Sequence, residues 1–425
     1  MPATATEGVL DIYRLATEND PGLKAADASR LAARETLPQA RALLLPAVNL
    51  GADATRTWLN VHDGPDSSFN STGYTLSLSQ PLYHRDYFVQ LRQADSQVQQ
   101  AETTYAAAAQ SVITQVAEAY FNVLAAVDNL GFARAEKEAI GRQLEQTKQR
   151  FEVGLIAITD VHEAQARHDL AAAQEIAAIN QVDLSREALR ELTGVLHDDI
   201  APLGEKLPLV KPEPADLEQW VRAAEQNNLQ LIAAQQGLAI AREEIKRQES
   251  GHYPTLDLVG THAYSNAGGG LTGKREFDNT AIGVQFNLPL YLGGAVSSRT
   301  RQAQHQYQAA SDNLEAQRRS TSRTTRDAYL SVIAGISQVN ALNQAVISNQ
   351  SALEATEAGF EVGTRTIVDV LNAQQDLFGA QRDYSRARYD YIVNSLRLKQ
   401  AAGSLSEEDL AQVDTWLTKT SKPAQ

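Results

Sequence analysis

"FEVGLIAITDV" at residues 151–161 returns as "FEVGTRTIVDV" at residues 360–370, 209 positions later, with seven of eleven residues identical. Neither copy holds a catalytic dyad, a metal cluster or a phosphate-binding loop. Each joins two stretches of helical pattern through a Val-Gly pair, so it reads as the bend of a helical hairpin used twice. Gly154 and Gly363 supply the turn, because glycine adopts the left-handed backbone that other residues resist.

The duplication reaches far beyond the bend. Pro46 pairs with Pro254, Pro81 with Pro289 and Tyr83 with Tyr291 at a shift of 208, and Ala119-Tyr120 with Ala328-Tyr329 at 209. A unit this long implies duplication rather than a short solenoid period. The first repeat is expected over 1–208: a helix, strands at about 46–58 and 73–83, a long helix at about 84–150 and a return helix at about 157–193. The second, 209–405, repeats the order with strands at about 254–265 and 280–291, a long helix at about 293–360 and a return helix at about 366–402. Residues 406–425 form a C-terminal segment.

The strands alternate. Val48, Leu50, Ala52, Ala54 and Trp58 interleave with Asn49, Gly51, Asp53, Thr55 and Thr57, and Tyr74, Leu76, Leu78 and Leu82 with Thr75, Ser77 and Ser79. In the second half Leu256, Leu258 and Tyr264 alternate with Asp257 and Thr261, and Ile282, Val284, Phe286, Leu288 and Leu290 with Gly283, Gln285 and Asn287. Each segment is roughly ten residues long, enough for a tilted strand to cross a bilayer. The same pattern suits a soluble antiparallel sheet with one face on a core. In lipid, however, four strands cannot close a barrel, and every edge must be paired. A membrane reading therefore needs several chains, and three would supply twelve strands.

The helices follow a coiled-coil spacing: Leu91, Ala94, Val98, Ala101, Tyr105, Ala108, Val112, then Val116, Ala119, Val123, Ala126, Leu130, Ala133. This alternation of three and four, with one skip, marks a seam between long helices. At 1.5 Å per residue the first long helix would measure roughly 100 Å. A scaffold or tether shares that signature. What sets this chain apart is that Pro46, Pro81, Pro254 and Pro289 each fall where a helical pattern meets an alternating one, redirecting the backbone at a barrel–helix junction.

Composition narrows the partners. The formal net charge is −14, which disfavours nucleic acid and favours cations. Cysteine is absent, so no disulfide, thiolate metal site or lipidated Cys exists. No run of 18 apolar residues appears, which excludes a helical membrane span, and the start "MPATATEGVLDIYRLA" has no signal-peptide core. Export would mean that a signal peptide is absent from this chain.

The stretches "AYFNVL" (119–124), "KEAI" (137–140), "RQL" (142–144), "RFEVGLIAITDV" (150–161), "GHYPTLDL" (251–258), "VGTRTIVDVL" (362–371) and "ARYDYIVNSLRLKQAAGSL" (387–405) resemble the TolC-type outer-membrane efflux ducts, the outer membrane factor family. The likeness spans essentially the whole chain. It implies a mainly α fold with a β-barrel: a homotrimer whose long coiled-coil α-helical barrel continues into a 12-stranded transmembrane β-barrel. It also implies a Gram-negative outer-membrane location extending into the periplasm. The function implied is that of an exit duct for multidrug efflux or type I protein secretion. The expected partners are a periplasmic adaptor (membrane fusion protein), an inner-membrane RND, ABC or MFS transporter, and outer-membrane lipid. No nucleic acid, cofactor or metal is implied, and no enzymatic activity.

Carried over residue by residue, the resemblance makes Gly154, Leu155, Gly363 and Thr364 adaptor-docking tips. Arg365 would bond Thr159 and Asp160 of a neighbouring helix pair, Gln143 would meet Glu357, and Asp369 would line the pore constriction. Two positions depart from the family's prototype. Phe360 stands where a tyrosine could bond the acidic residue, and Asn372 where a second aspartate ring would sit. Both departures imply a looser closed state and a less negative ring.

Other readings are weaker. "HEAQARH" (162–168) lacks the second His at 166 that would share a face with His162, so it reads as a solvated helix face. "GGGLTG" (268–273) lies between strands rather than between a strand and a helix, and reads as an external loop with "NVHDGPDSSFNST" (60–72) as its counterpart. The competing class is a periplasmic coiled-coil adaptor or scaffold. An adaptor has one hairpin, whereas this chain has two.

Overall fold

The structure, a computed structural model, describes residues 6–60, 62, 66–269 and 273–419. Parts of both expected external loops, residues 61, 63–65 and 270–272, lie outside the described residues. In chain order the elements are α1 (Val9–Asn19), α2 (Pro21–Arg34), α3 (Thr36–Ala42), β1 (Ala47–Leu59), β2 (Ser67–Tyr83), α4 (Arg85–Glu152) and α5 (Ile158–Thr193). They are followed by α6 (Leu217–Asn227), α7 (Leu229–Glu249), β3 (Thr255–Ala267), β4 (Arg275–Asn287), α8 (Ala295–Glu361), α9 (Ile367–Ala401) and α10 (Glu407–Asp414).

Two compact units divide the chain, and each draws on both halves of the sequence. One takes in the chain up to Asp27, Tyr105–Leu231 and the chain from Arg318 on; the other takes in Ala28–Thr104 and Ile232–Gln317.

In the first unit the small-residue seam of α4 is buried at Val112, Val116, Val123, Ala126 and Ala133, and continues through Ile140 and Leu144. A core of Val9, Ile12, Tyr120, Phe121, Leu189, Tyr389, Ile392 and Leu410 draws α1, α4, α5, α9 and α10 together. The Tyr120 hydroxyl donates to the Ala201 carbonyl at 2.6 Å, so this buried ring keeps its polar end satisfied. Burial pushes the Tyr120 and Tyr389 phenols well above their ordinary range. Polar ties set the antiparallel register of α4 and α9. Arg397 meets Glu118 at 2.8 Å, Ser385 and Tyr389 donate to Asp128 at 2.5 and 2.7 Å, and Arg382 meets Glu136 at 2.8 Å. On its other side α4 is tied to α5 by Lys137 and Glu175 at 2.8 Å.

The parts of α5 and α8 that α4 and α9 do not cover carry exposed apolar side chains among polar ones. Ile176 and Leu184 on α5 are 70% and 57% exposed, and Leu330 and Ile347 on α8 are 56% and 52% exposed. Contrary to the exclusion of a helical membrane span, α8 is long and apolar enough to cross a membrane by length and composition, with an 18-residue window of mean hydropathy 1.3, only 11% of it buried. A count of consecutive apolar residues misses such a window when scattered polar residues interrupt it.

The second unit is built on one antiparallel sheet in the order β1-β2-β3-β4. Its register places Val48 opposite Leu78, Leu78 opposite Gly260, and Gly260 opposite Ile282, so the apolar positions of all four strands share a face. Three strand bounds differ from expectation: β2 and β4 both start early, and β4 ends at Asn287 rather than about 291, short of Pro289, which has no N–H to give a ladder. β2 begins at Ser67, and β4 spans Arg275–Asn287. The added residues are mostly polar or charged, and ladder pairing to Leu59 and Ala267 extends the strands where hydrophobic alternation gives no signal.

The junction prolines also require a correction. Pro46 and Pro254 immediately precede β1 and β3, and Pro289 follows β4, but Pro81 lies inside β2. The β1 ladder stops at Ser79, so Pro81 needs no donor on that side; on the β3 side it sits at a register shift between Pro81 and Tyr83. That is where a ladder tolerates proline.

Candidate functional site

The two hairpin bends are built alike. The Gly154 amide donates to Phe151 O at 2.9 Å and the Leu155 amide to Arg150 O at 2.9 Å; the Gly363 amide donates to Phe360 O at 3.1 Å and the Thr364 amide to Gly359 O at 2.8 Å. These bonds correspond one to one under the 209-residue shift. Gly154 and Gly363 take φ of 75° and 78°, the left-handed conformation anticipated for them. Side chains around the bends face solvent: Val153, Leu155 and Val362 are 70%, 73% and 75% exposed.

Immediately past the bends the symmetry fails. At α9 the Thr366 hydroxyl accepts from the Asp369 amide at 3.3 Å, while the Asp369 carboxylate accepts from the Thr366 amide and hydroxyl, both at 2.9 Å. This is a capping box. The Thr366 backbone bond, then its hydroxyl bond, and the nearby Arg365 charge lower the Asp369 pKa below the ordinary aspartate value. The equivalent of Thr366 at α5 is Ala157, which has no side-chain oxygen, and the cap there has no side-chain bond. Among the described residues the Asp160 carboxylate, unlike that of Asp369, makes no capping bond to its own helix.

Within one chain, among the described residues, Thr159, Asp160 and Arg365 form no side-chain hydrogen bond or ion pair with one another. The expected partnership of Gln143 and Glu357 is also absent within the chain. Glu357 instead accepts from Gln374 at 3.5 Å, because Gln374 projects from α9, the other arm of Glu357's own hairpin. The Gln143 Nε2 is buried without a partner among the described residues. Asn372 accepts from Arg167 at 2.8 Å. Phe360 lies under the Arg150 guanidinium, 4.5 Å from ring centroid to Cζ. Sequence reasoning missed Thr366, Gln374, Arg150 and Arg167. The Thr-x-x-Asp cap signature was available for the first. The others act across helices, where no local pattern reveals them. His162 lies exposed on α5, as a solvated face requires.

The sheet presents the other candidate surface. Val48, Leu50, Ile282, Val284 and Phe286 on its apolar face are 62–80% exposed. β1 and β4 each have one edge unpaired by the other strands of this sheet. Exposed edges and an uncovered apolar face are what a stable water-soluble sheet avoids.

A chain with two coiled-coil hairpins of matching tips and a lipid-compatible sheet open at both edges falls in the class of membrane-associated assembly components. The profile of the outer membrane efflux protein family matches it twice, over residues 12–195 and 220–404, and the chain belongs to that family. It is 45% identical over 423 residues to outer membrane protein TolC of Vibrio cholerae, covering 99% of this chain and 96% of the relative. It is 31% identical to the alkaline protease secretion protein AprF of Pseudomonas aeruginosa, covering 98% and 89%. The fold is shared with the solved channel CusC, with a TM-score of 0.82 at 17% identity, covering 95% of this chain and 93% of that one.

Proposed function

We propose that three copies of this chain form an exit duct in the Gram-negative outer membrane. Efflux substrates or secreted polypeptides would pass through it when a periplasmic adaptor and an inner-membrane pump engage the hairpin tips. The carrying observation is the sheet: four strands of 13 to 17 residues, apolar on one face and unpaired at two edges. Three such sheets joined edge to edge give twelve strands and leave no edge. Burying the five exposed apolar side chains of each sheet in lipid stabilises the inserted state by about 10 kcal/mol per chain at roughly 2 kcal/mol each. Family membership and two hairpins favour the duct over the adaptor or scaffold alternative. That one relative is named for protease secretion supports a polypeptide cargo alongside small molecules.

In this reading each sequence repeat is a structural repeat, and the exposed apolar side chains of α5 and α8 meet neighbouring chains in a twelve-helix tunnel. Arg365 reaches Thr159 and Asp160 of the next helix pair, and Gln143 meets Glu357. Asp369 and Asn372 line the narrowest ring. Gly154, Leu155, Gly363 and Thr364 form the adaptor-docking tips. The RND, ABC and MFS pump classes all remain compatible partners. The test is the purified protein's state. It should require detergent and carry the mass of three chains; a monomer that stays soluble without detergent overturns the reading.

A further inference from the structure

Near the tips, two arginines of the first hairpin hold the second hairpin within the same chain. The Arg150 guanidinium, at the end of α4, covers the ring of Phe360 at the end of α8 with 4.5 Å between Cζ and centroid. That distance is within the range in which a cation is attracted to an aromatic face. Phe360 is also a joint. It packs against the cluster of Ile140, Leu144, Ala164 and Leu371, drawn from α4, α5 and α9, and against the cluster of Leu353, Val370 and Leu377, drawn from α8 and α9. Further along, Arg167 of α5 donates through its two terminal nitrogens to Asn372 Oδ1 at 2.8 Å and Gln375 Oε1 at 2.9 Å, both on α9. The planar fork of arginine suits two acceptors on one helix face, and lysine cannot reproduce that geometry.

We propose that Arg150 and Arg167 are gate-positioning residues that keep the second hairpin against the first, so that Phe360 and Asn372 act as their seats. The inference rests on the duct reading. It explains how a chain without a tyrosine hydroxyl at 360 still ties its hairpins, and gives Asn372 a role other than a charge in the ring. An arginine over an aromatic face needs no hydroxyl, and an amide oxygen accepts from a guanidinium without a charge of its own.

The test is single-channel conductance of the intact trimer in a planar bilayer. Removing one such contact from three chains should raise the open population about tenfold. Arg150→Met and Arg167→Met should therefore each raise mean conductance. Arg150→Lys, which keeps a cation over the ring, should stay near the parent, whereas Arg167→Lys should recover only part. In a Phe360→Leu background, Arg150→Met should add nothing, a coupling that a general loss of packing would not produce. If both methionine variants conduct as the parent does while Arg365→Ser raises conductance, the inference is overturned and closure lies between chains alone. If none of the three changes conductance in an intact trimer, the gate assignment falls with it.

Discussion

Replacing Ala157 with threonine should stiffen a hairpin tip and loosen the gate at once. Ala157 is the N-cap of α5, with extended backbone at φ −83° and ψ 156°, close to the φ −93° and ψ 164° of Thr366 at the N-cap of α9. The third helical residue is aspartate in both, Asp160 and Asp369. Threonine at 157 therefore has the backbone and the partner needed to copy the box seen at Thr366. A Ser or Thr cap in place of alanine contributes about 1 kcal/mol. The same box would occupy the Asp160 carboxylate, which the proposed contact to Arg365 of a neighbour needs. Exposed charge pairs contribute about 0.5 kcal/mol, so losing three shifts a closed–open equilibrium by about 1.5 kcal/mol, or roughly tenfold. Amide exchange at the start of α5 should slow while conductance rises. If exchange slows and conductance is unchanged, Asp160 takes no part in closure; if exchange does not slow, the cap argument itself is wrong.

Two further outcomes follow from the first unit. Arg382→Met leaves Glu136, only 4% exposed, as an unpaired buried charge; this should cost about 4 kcal/mol and lower the apparent Tm by about 4 °C in a chain of 425 residues, with Glu136→Leu/Arg382→Leu recovering most of the loss. Because the folded pKa of Asp369 is depressed, the cap's contribution is fully present above the ordinary aspartate value and fades as pH falls through the lower folded value. Amide exchange at Val370 and Leu371 should accelerate only in that acid window, and Asp369→Asn should remove the dependence.

The hairpins, the four strands and their shared apolar face were legible because each is periodic: 3.5 along the seams, 2 along the strands, 209 between the copies. The tip glycines were legible because a single conformational demand fixes the residue type. The polar starts of β2 and β4 were not, since ladder pairing extends a strand without any alternation in its own sequence. Pro81 misled because proline at a bulge and proline at a strand end look alike until the partner strand is known. The inter-hairpin contacts of Arg150 and Arg167 join residues more than 200 positions apart, and nothing within either helix marks them. The bond from Gln374 to Glu357 likewise joins two arms of one hairpin, and nothing within either helix marks it.

Duplication explains why the tips look alike; divergence at a few positions explains how they can do different work. Under the same shift, Thr366 corresponds to Ala157, Arg365 to Ile156 and Thr364 to Leu155. The second tip thus holds a hydroxyl that caps its own helix and a cation with no ion-pair partner in its chain among the described residues. The first tip holds apolar residues and a carboxylate that makes no capping bond. A cation without an ion pair on one copy and a carboxylate without one on the other, among the described residues, are complementary, and they remain so only while the copies differ. In a ring where first and second hairpins alternate, that difference gives every interface one donor and one acceptor. Two identical tips would set like against like, so a closure built on this pairing depends on what the two copies no longer share.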